Sequence, residues 1–160
     1  MRATHDVDLL VSLADADTGT LMHRLTTAGF RAKRDPPVVP LGSVRVLQLL
    51  YQPGGAFMEL QVDVLLAESE YHRHALTRRV PVHLPDMPIE VYVLTCEDLI
   101  LHKLLAGRIV DRADCIALIV ANRTAIDREY LARWSNQLGV TRELATVWGE
   151  ALPGEQISES

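Results

Sequence analysis

The chain has 160 residues, a net charge of −5 and 48% hydrophobic content, the proportions of one globular domain able to bury a core. The acidic balance argues against broad non-specific nucleic-acid binding, although a local basic groove is still compatible with it. No stretch approaches the ~18 uninterrupted apolar residues of a membrane span, and no apolar leader core opens the chain, so the sequence predicts a cytoplasmic protein with no membrane partner.

In chain order, His5 to Leu13 (HDVDLLVSL) has the aliphatic richness of a strand buried on at least one face. Thr18 to Ala28 reads as a helix with Leu21, Met22 and Leu25 on one face, and Gly29 suits its C′ position. Phe30 to Lys33 reads as a short strand. The three prolines of RDPPVVPLGS (34–43) predict a loop. Val44–Gln52 and Phe57–Leu66 flank Pro53-Gly54-Gly55 and predict a β-hairpin. Ser69 to Thr77 reads as a short helix with His72 and His74 on a solvated surface, followed by strands at Val80–Leu84 and Ile89–Leu94.

From there the chain turns helical. Thr95 with Asp98 resembles a capping box opening the helix LILHKLLAGR. Helices follow at Asp111–Ala121 and at Asp127–Leu138, the latter ending at Gly139, and Thr141 caps a fourth containing Leu144, Val147 and Trp148. The closing PGEQISES is expected to fray. Cys96 and Cys115 show no metal-binding spacing and read as reduced, buried apolar residues. This order predicts an α+β domain with a mixed β-sheet and a C-terminal helical cap. The expected core covers 1–94, the helices packed on it 95–150, and a flexible tail 151–160.

Several positions carry chemistry. In a strand, Asp6 and Asp8 project from one face. Two ionised carboxylates that close are costly in an apolar setting, and Mg²⁺, which takes hard oxygen ligands, removes the conflict. The bland account is an edge strand whose aspartates face water. Asp63 again breaks an apolar run, in FMELQVDVLLA, with Glu59 and Gln61 sharing its face by alternation. If that strand lies beside the first, Asp6, Asp8 and Asp63 converge, a set suited to two Mg²⁺ ions. A half-exposed strand with a polar outer face also fits. Only Lys33 and Lys103 among the 16 basic residues are lysine, so a lysine at a particular place is informative here. The six histidines lack paired zinc spacing, and no nucleophile elbow, P-loop or dinucleotide fingerprint occurs.

RATHDVDLLV, then VDVLL, then TCEDLILHKLLAGRIVDRADCIALI together resemble the nucleotidyltransferase superfamily (DNA polymerase β-like fold), in particular its bacterial branch of AbiEii-type toxins. The matching positions are Arg2, Thr4, Asp6, Val7, Asp8 and Leu9, then Asp63, then Glu97-Asp98-Leu99-Ile100, Lys103, Arg108, Asp111 and Asp114. The resemblance implies that Asp6, Asp8 and Asp63 bind two Mg²⁺ ions and a nucleoside triphosphate (NTP). A nucleotidyl group would pass to a hydroxyl acceptor on tRNA, a protein or a small molecule. It also implies a toxin with an antitoxin partner. Arg2 and Thr4 would belong to the nucleotide site, Lys103 and Arg108 would lie near phosphates or acceptor, and Asp111 would orient them. The plainer account makes Lys103 the cover of an exposed helix face and Asp111 an N-cap.

One departure from the family pattern stands out. There the D-x-D strand follows a helix and a Gly-Ser or Gly-Gly turn whose backbone N–H groups cradle the triphosphate. Here Asp6 is the sixth residue, while Gly42-Ser43 and Gly54-Gly55 lie downstream as loop punctuation. The expectation is a core lacking that turn, with open apolar sheet surface that favours a homodimer or another partner. The alternative reading is a catalytically inactive nucleotidyltransferase-fold binding module, and a third is an unrelated α+β interaction domain. Arg73, Arg78 and Arg79 are candidates for a local basic surface.

Overall fold

The computed structural model describes residues 6–13, 18–41, 44–84 and 88–157. They form a mixed α/β chain with one mixed sheet, a two-stranded ribbon and six helices. The chain divides into two compact units, residues 1–73 and 74–160.

The first unit contains β1 (Asp6–Val11), α1 (Thr18–Thr27), β2 (Phe30–Ala32), β3 (Val38–Leu41), β4 (Val44–Tyr51) and β5 (Leu60–Leu66). The sheet order is β1-β5-β4-β2, and β3 pairs with β4 beside β2. β1 runs parallel to β5 while the other pairs are antiparallel. The alternation in β5 sorts its faces: Val62, Val64 and Leu66 are buried with Leu47 and Leu49 of β4. Leu21, Met22 and Leu25 of α1 pack on that cluster with Val11, Phe30 and Val38. Each fully buried Val or Leu contributes roughly 1.5–3 kcal/mol. Gly29 ends α1 in the left-handed conformation (φ 91°), which a side chain would strain. The next residue, Phe30, stacks on Tyr51 at 4.6 Å between ring centroids.

Two expectations for this unit need correction. The proline-rich segment is not all loop, because β3 forms within it and pairs with Val44–Leu47. An outer strand tolerates Pro40 where a central one would not. The hairpin is present, with Tyr51 registered against Leu60, but β5 begins at Leu60 and Phe57 is fully exposed in the connection.

Helix α2 (Glu70–Arg78) spans the boundary between the units. Its histidines do not lie on a solvated surface. His72 is buried, with its Nδ1 2.7 Å from the Ser69 hydroxyl. His74 stacks against Tyr130 and Trp134.

The second unit adds the ribbon β6 (Val80–His83) and β7 (Glu90–Val93) to α3 (Cys96–Ala106), α4 (Ile109–Ala121), α5 (Arg128–Leu138) and α6 (Thr141–Ala151). Its buried residues include Ile100, Leu101 and Leu104 of α3, Cys115 and Ile119 of α4, Leu131 and Trp134 of α5, and Leu144, Val147 and Trp148 of α6. The termini follow side-chain chemistry. Thr95 accepts the Asp98 N–H, Asp127 accepts the Tyr130 N–H, and Gly107 and Gly139 close α3 and α5 in the left-handed conformation. Thr141 is not a cap: it is the first helical residue, after the buried Val140. Past α6 the chain is held more than its polar sequence suggests, since Leu152 is buried and Glu155 pairs with Arg123 and Arg128. No helix among the described residues is long and apolar enough to cross a membrane.

Candidate functional site

Strand register places the acidic positions. Asp8 of β1 is registered directly against Asp63 of β5, and Asp6 against Gln61. β4 sets Gln48 against Asp63 and Leu50 against Gln61, and β2 sets Arg31 against Leu50. The Lys33 N–H then donates to the Gln48 carbonyl at 2.9 Å, extending the pairing by one residue. Registered residues share a face, so one row crosses four strands as Asp8, Asp63, Gln48, Lys33. Since Val62 and Val64 point into the core, this row lies on the opposite side of the sheet.

Hydrogen bonds tie Asp63, Gln48, Gln61 and Lys33 together on this face. Gln61 Nε2 donates to both Asp63 oxygens, at 3.1 and 3.0 Å, and Gln48 Nε2 donates to Asp63 Oδ1 at 3.4 Å. Lys33 Nζ donates to Gln61 Oε1. Nearby, Arg31 pairs with Glu59 at 2.6 Å, both side chains exposed. Asp8 is exposed.

Adjacent strands are about 4.7–4.9 Å apart, so Asp8 and Asp63 lie within reach of one shared cation. Their donor atoms are hard carboxylate oxygens, and this chemistry fits Mg²⁺. Of Asp6 only the strand position is described, two residues before Asp8. Among the described residues no group of three His, Cys, Asp or Glu side chains could hold a metal ion. Arg2 and Thr4 lie outside the described residues.

The remaining expected residues form a cluster of their own in the second unit. Lys103 Nζ lies 2.7 Å from Asp114 and 3.6 Å from Asp111. Arg108 grips Asp111 through Nε at 2.8 Å and Nη2 at 3.1 Å, and its backbone N–H donates to the same carboxylate at 3.2 Å. Asp111 is thus not the N-cap of α4: Arg108 is, and Asp111 reaches back to it from the third helical position. Burial pushes the Asp111 carboxyl up, but the Arg108 hydrogen bonds and charge, with Lys103, outweigh it and hold the group below the usual carboxylate range. Lys103 is therefore committed to two carboxylates instead of covering an exposed helix face.

Arg78 does not join a basic surface. It reaches Glu97 at 3.2 Å and Asp98 at 3.3 Å, and its guanidinium lies 3.6 Å from the centre of the Tyr130 ring. Arg73 and Arg79 donate to the backbone carbonyls of Glu68 and Leu76. Sequence reasoning missed this buried network, for which the only sign was the acidic pair Glu97-Asp98 after Thr95. It also missed Gln48 and the link from Lys33 to Gln61. The scarcity of lysine was the available hint there. No protein-family model matches the chain, and no curated protein matches it.

Proposed function

We propose that this chain is an Mg²⁺-dependent nucleotidyltransferase of the DNA polymerase β-like superfamily, allied to AbiEii-type toxins, that moves a nucleotidyl group from an NTP to a hydroxyl acceptor. The observation that supports it most is the parallel registration of Asp8 with Asp63, with Asp6 at the equivalent strand position before Asp8. A one-residue slip would turn these carboxylates towards the core, so the packing of Val62, Val64 and Leu66 also preserves their register.

Bound Mg²⁺ would supply charge stabilisation on the phosphates. Asp8 and Asp63, with Asp6, would hold it. The Gln61 and Gln48 amides keep Asp63 in a fixed orientation, and Asp8 is exposed on the neighbouring strand. Transfer forms a bond between the acceptor oxygen and the α-phosphorus, breaks the α-phosphorus bond to pyrophosphate and releases the hydroxyl proton. The acceptor classes are tRNA, a protein hydroxyl and a small molecule, and a toxin of this type would pair with an antitoxin.

One observation favours a second reading, an inactive binding module of the same fold. Asp63 already accepts amide hydrogens on both oxygens, so the fold satisfies it without a cation. Calorimetry with Mg²⁺ and each of the four NTPs, on wild type and on Asp8→Asn and Asp63→Asn, separates these readings. Mg²⁺-dependent NTP binding lost in both variants, with labelled nucleotide incorporated into cellular RNA or protein, supports the transferase. Binding without incorporation supports the module, and no binding by the wild type excludes the transferase.

A further inference from the structure

A glutamine amide has unlike ends, and its neighbours decide which way it points. Gln61 sits between a donor-only group and an acceptor-only group. Lys33 Nζ donates to its Oε1, while its Nε2 donates to both oxygens of Asp63. Turning the amide over would set NH₂ against ammonium and carbonyl against carboxylate. The two charges therefore agree on a single orientation. Gln48 braces Asp63 from the adjoining strand.

We infer that Lys33 and Gln61 are positioning residues for Asp63, fixing its carboxylate so that it can share a divalent cation with Asp8. The inference rests on the metal-site reading of this face. A lysine bonded directly to Asp63 would compete with the cation for the same oxygens. Passing the orientation through a neutral amide keeps the carboxylate aligned and its negative charge available. Partners that orient a metal-binding side chain commonly alter metal affinity ~10–100-fold.

The test uses the ¹⁵N-labelled full chain with Mn²⁺ alone as the probe. In the wild type, the Gln61 side-chain amide should give two well-separated, slowly exchanging N–H signals. Mn²⁺ should broaden these and the Gln48 amide before others. Lys33→Met should collapse the separation and weaken Mn²⁺ binding about tenfold. Lys33→Arg, still a donor-only cation, should restore most of both. Unchanged backbone signals of Val62 and Leu66 establish that each variant keeps the sheet. If Lys33→Met matches wild type in either the amide signals or Mn²⁺ affinity, the positioning role is overturned while the metal site stands. If Mn²⁺ leaves the wild-type amides around Asp63 untouched, the metal site falls and takes the positioning role with it.

Discussion

Tyr130 donates its phenolic hydroxyl to Asp98 Oδ1 at 2.6 Å, at a point in the second unit where Asp98 is 0% exposed. Thr95 Oγ1 donates to the other carboxylate oxygen at 2.8 Å, and Arg78 lies beside it at 3.3 Å. Burial first, then the bond to Asp98, holds the Tyr130 hydroxyl far above its usual range, so it stays a donor.

Breaking this network should be expensive in a graded way. Tyr130→Phe removes one hydrogen bond to a buried charge and should cost about 1.5–3 kcal/mol. Asp98→Ala removes the carboxylate that accepts from both Tyr130 and Thr95 and leaves Arg78 with Glu97 as its carboxylate partner, and should cost at least ~3 kcal/mol. Urea unfolding followed by Trp134 and Trp148 fluorescence measures both. An Asp98→Ala cost below that of Tyr130→Phe would show that Asp98 is not the centre of the network.

Acid should weaken the protein in two stages. The His72 imidazole is held below its ordinary 6.5 by burial. The unfolded chain therefore takes up that proton first, and stability falls as pH drops below 6.5. Asp111 is also depressed, so its contribution is complete above the unfolded value of 3.8 and is lost as pH falls through the lower folded value. Urea midpoints measured across pH should show the first decline in wild type but not in His72→Gln. The second decline should be shallower in Asp111→Asn.

Asp8 and Asp63 are like charges registered on adjacent parallel strands, an arrangement that is destabilising without a cation. Asp8→Asn should therefore raise the metal-free melting temperature. Mg²⁺ should raise the wild-type melting temperature with the logarithm of its concentration once above Kd and leave that of Asp8→Asn unmoved. Thermal denaturation with and without Mg²⁺ reads both effects, and equal Mg²⁺ responses would place the ion elsewhere.

Cys115 is fully buried, its Sγ 3.8 Å from the Ile100 carbonyl oxygen, and burial pushes its thiol up to about 11. A thiol-specific chromogenic reagent at pH 8 should reach Cys115 only at the rate at which the second unit opens. Cys96, half-buried and also raised by burial, should react slowly. Urea should make both react fast. Immediate labelling of two thiols in native buffer would contradict this.

The sequence announced alternation clearly and register hardly at all. Val62, Val64 and Leu66 against Gln61 and Asp63 could be read directly, because a strand inverts every second residue. Lys33 could not be assigned a place, since its position depends on how β2 pairs with β4, and no local pattern encodes that pairing. β3 was hidden by Pro40 and the two prolines before it, a penalty that vanishes on an outer strand. His72 was read as solvated because Arg73 and Glu70 make the helix look polar, whereas its own side is covered. Arg78 and Asp98 are 20 residues apart, and only folding brings their charges together.

Asp8 and Asp63 are registered against each other but belong to strands of unequal security. Among the described residues β1 bonds only to β5, with Val7 and Leu9 each 44% exposed, whereas β5 is flanked on both sides and sinks three residues into the core. Peeling β1 from the sheet uncovers Val11 at its inner end, while opening β5 dismantles the unit's packing. An ion shared by the two carboxylates would clip the loose strand to the firm one. Occupancy would then register as slower amide hydrogen exchange along β1, with the resting positions of the chain unchanged.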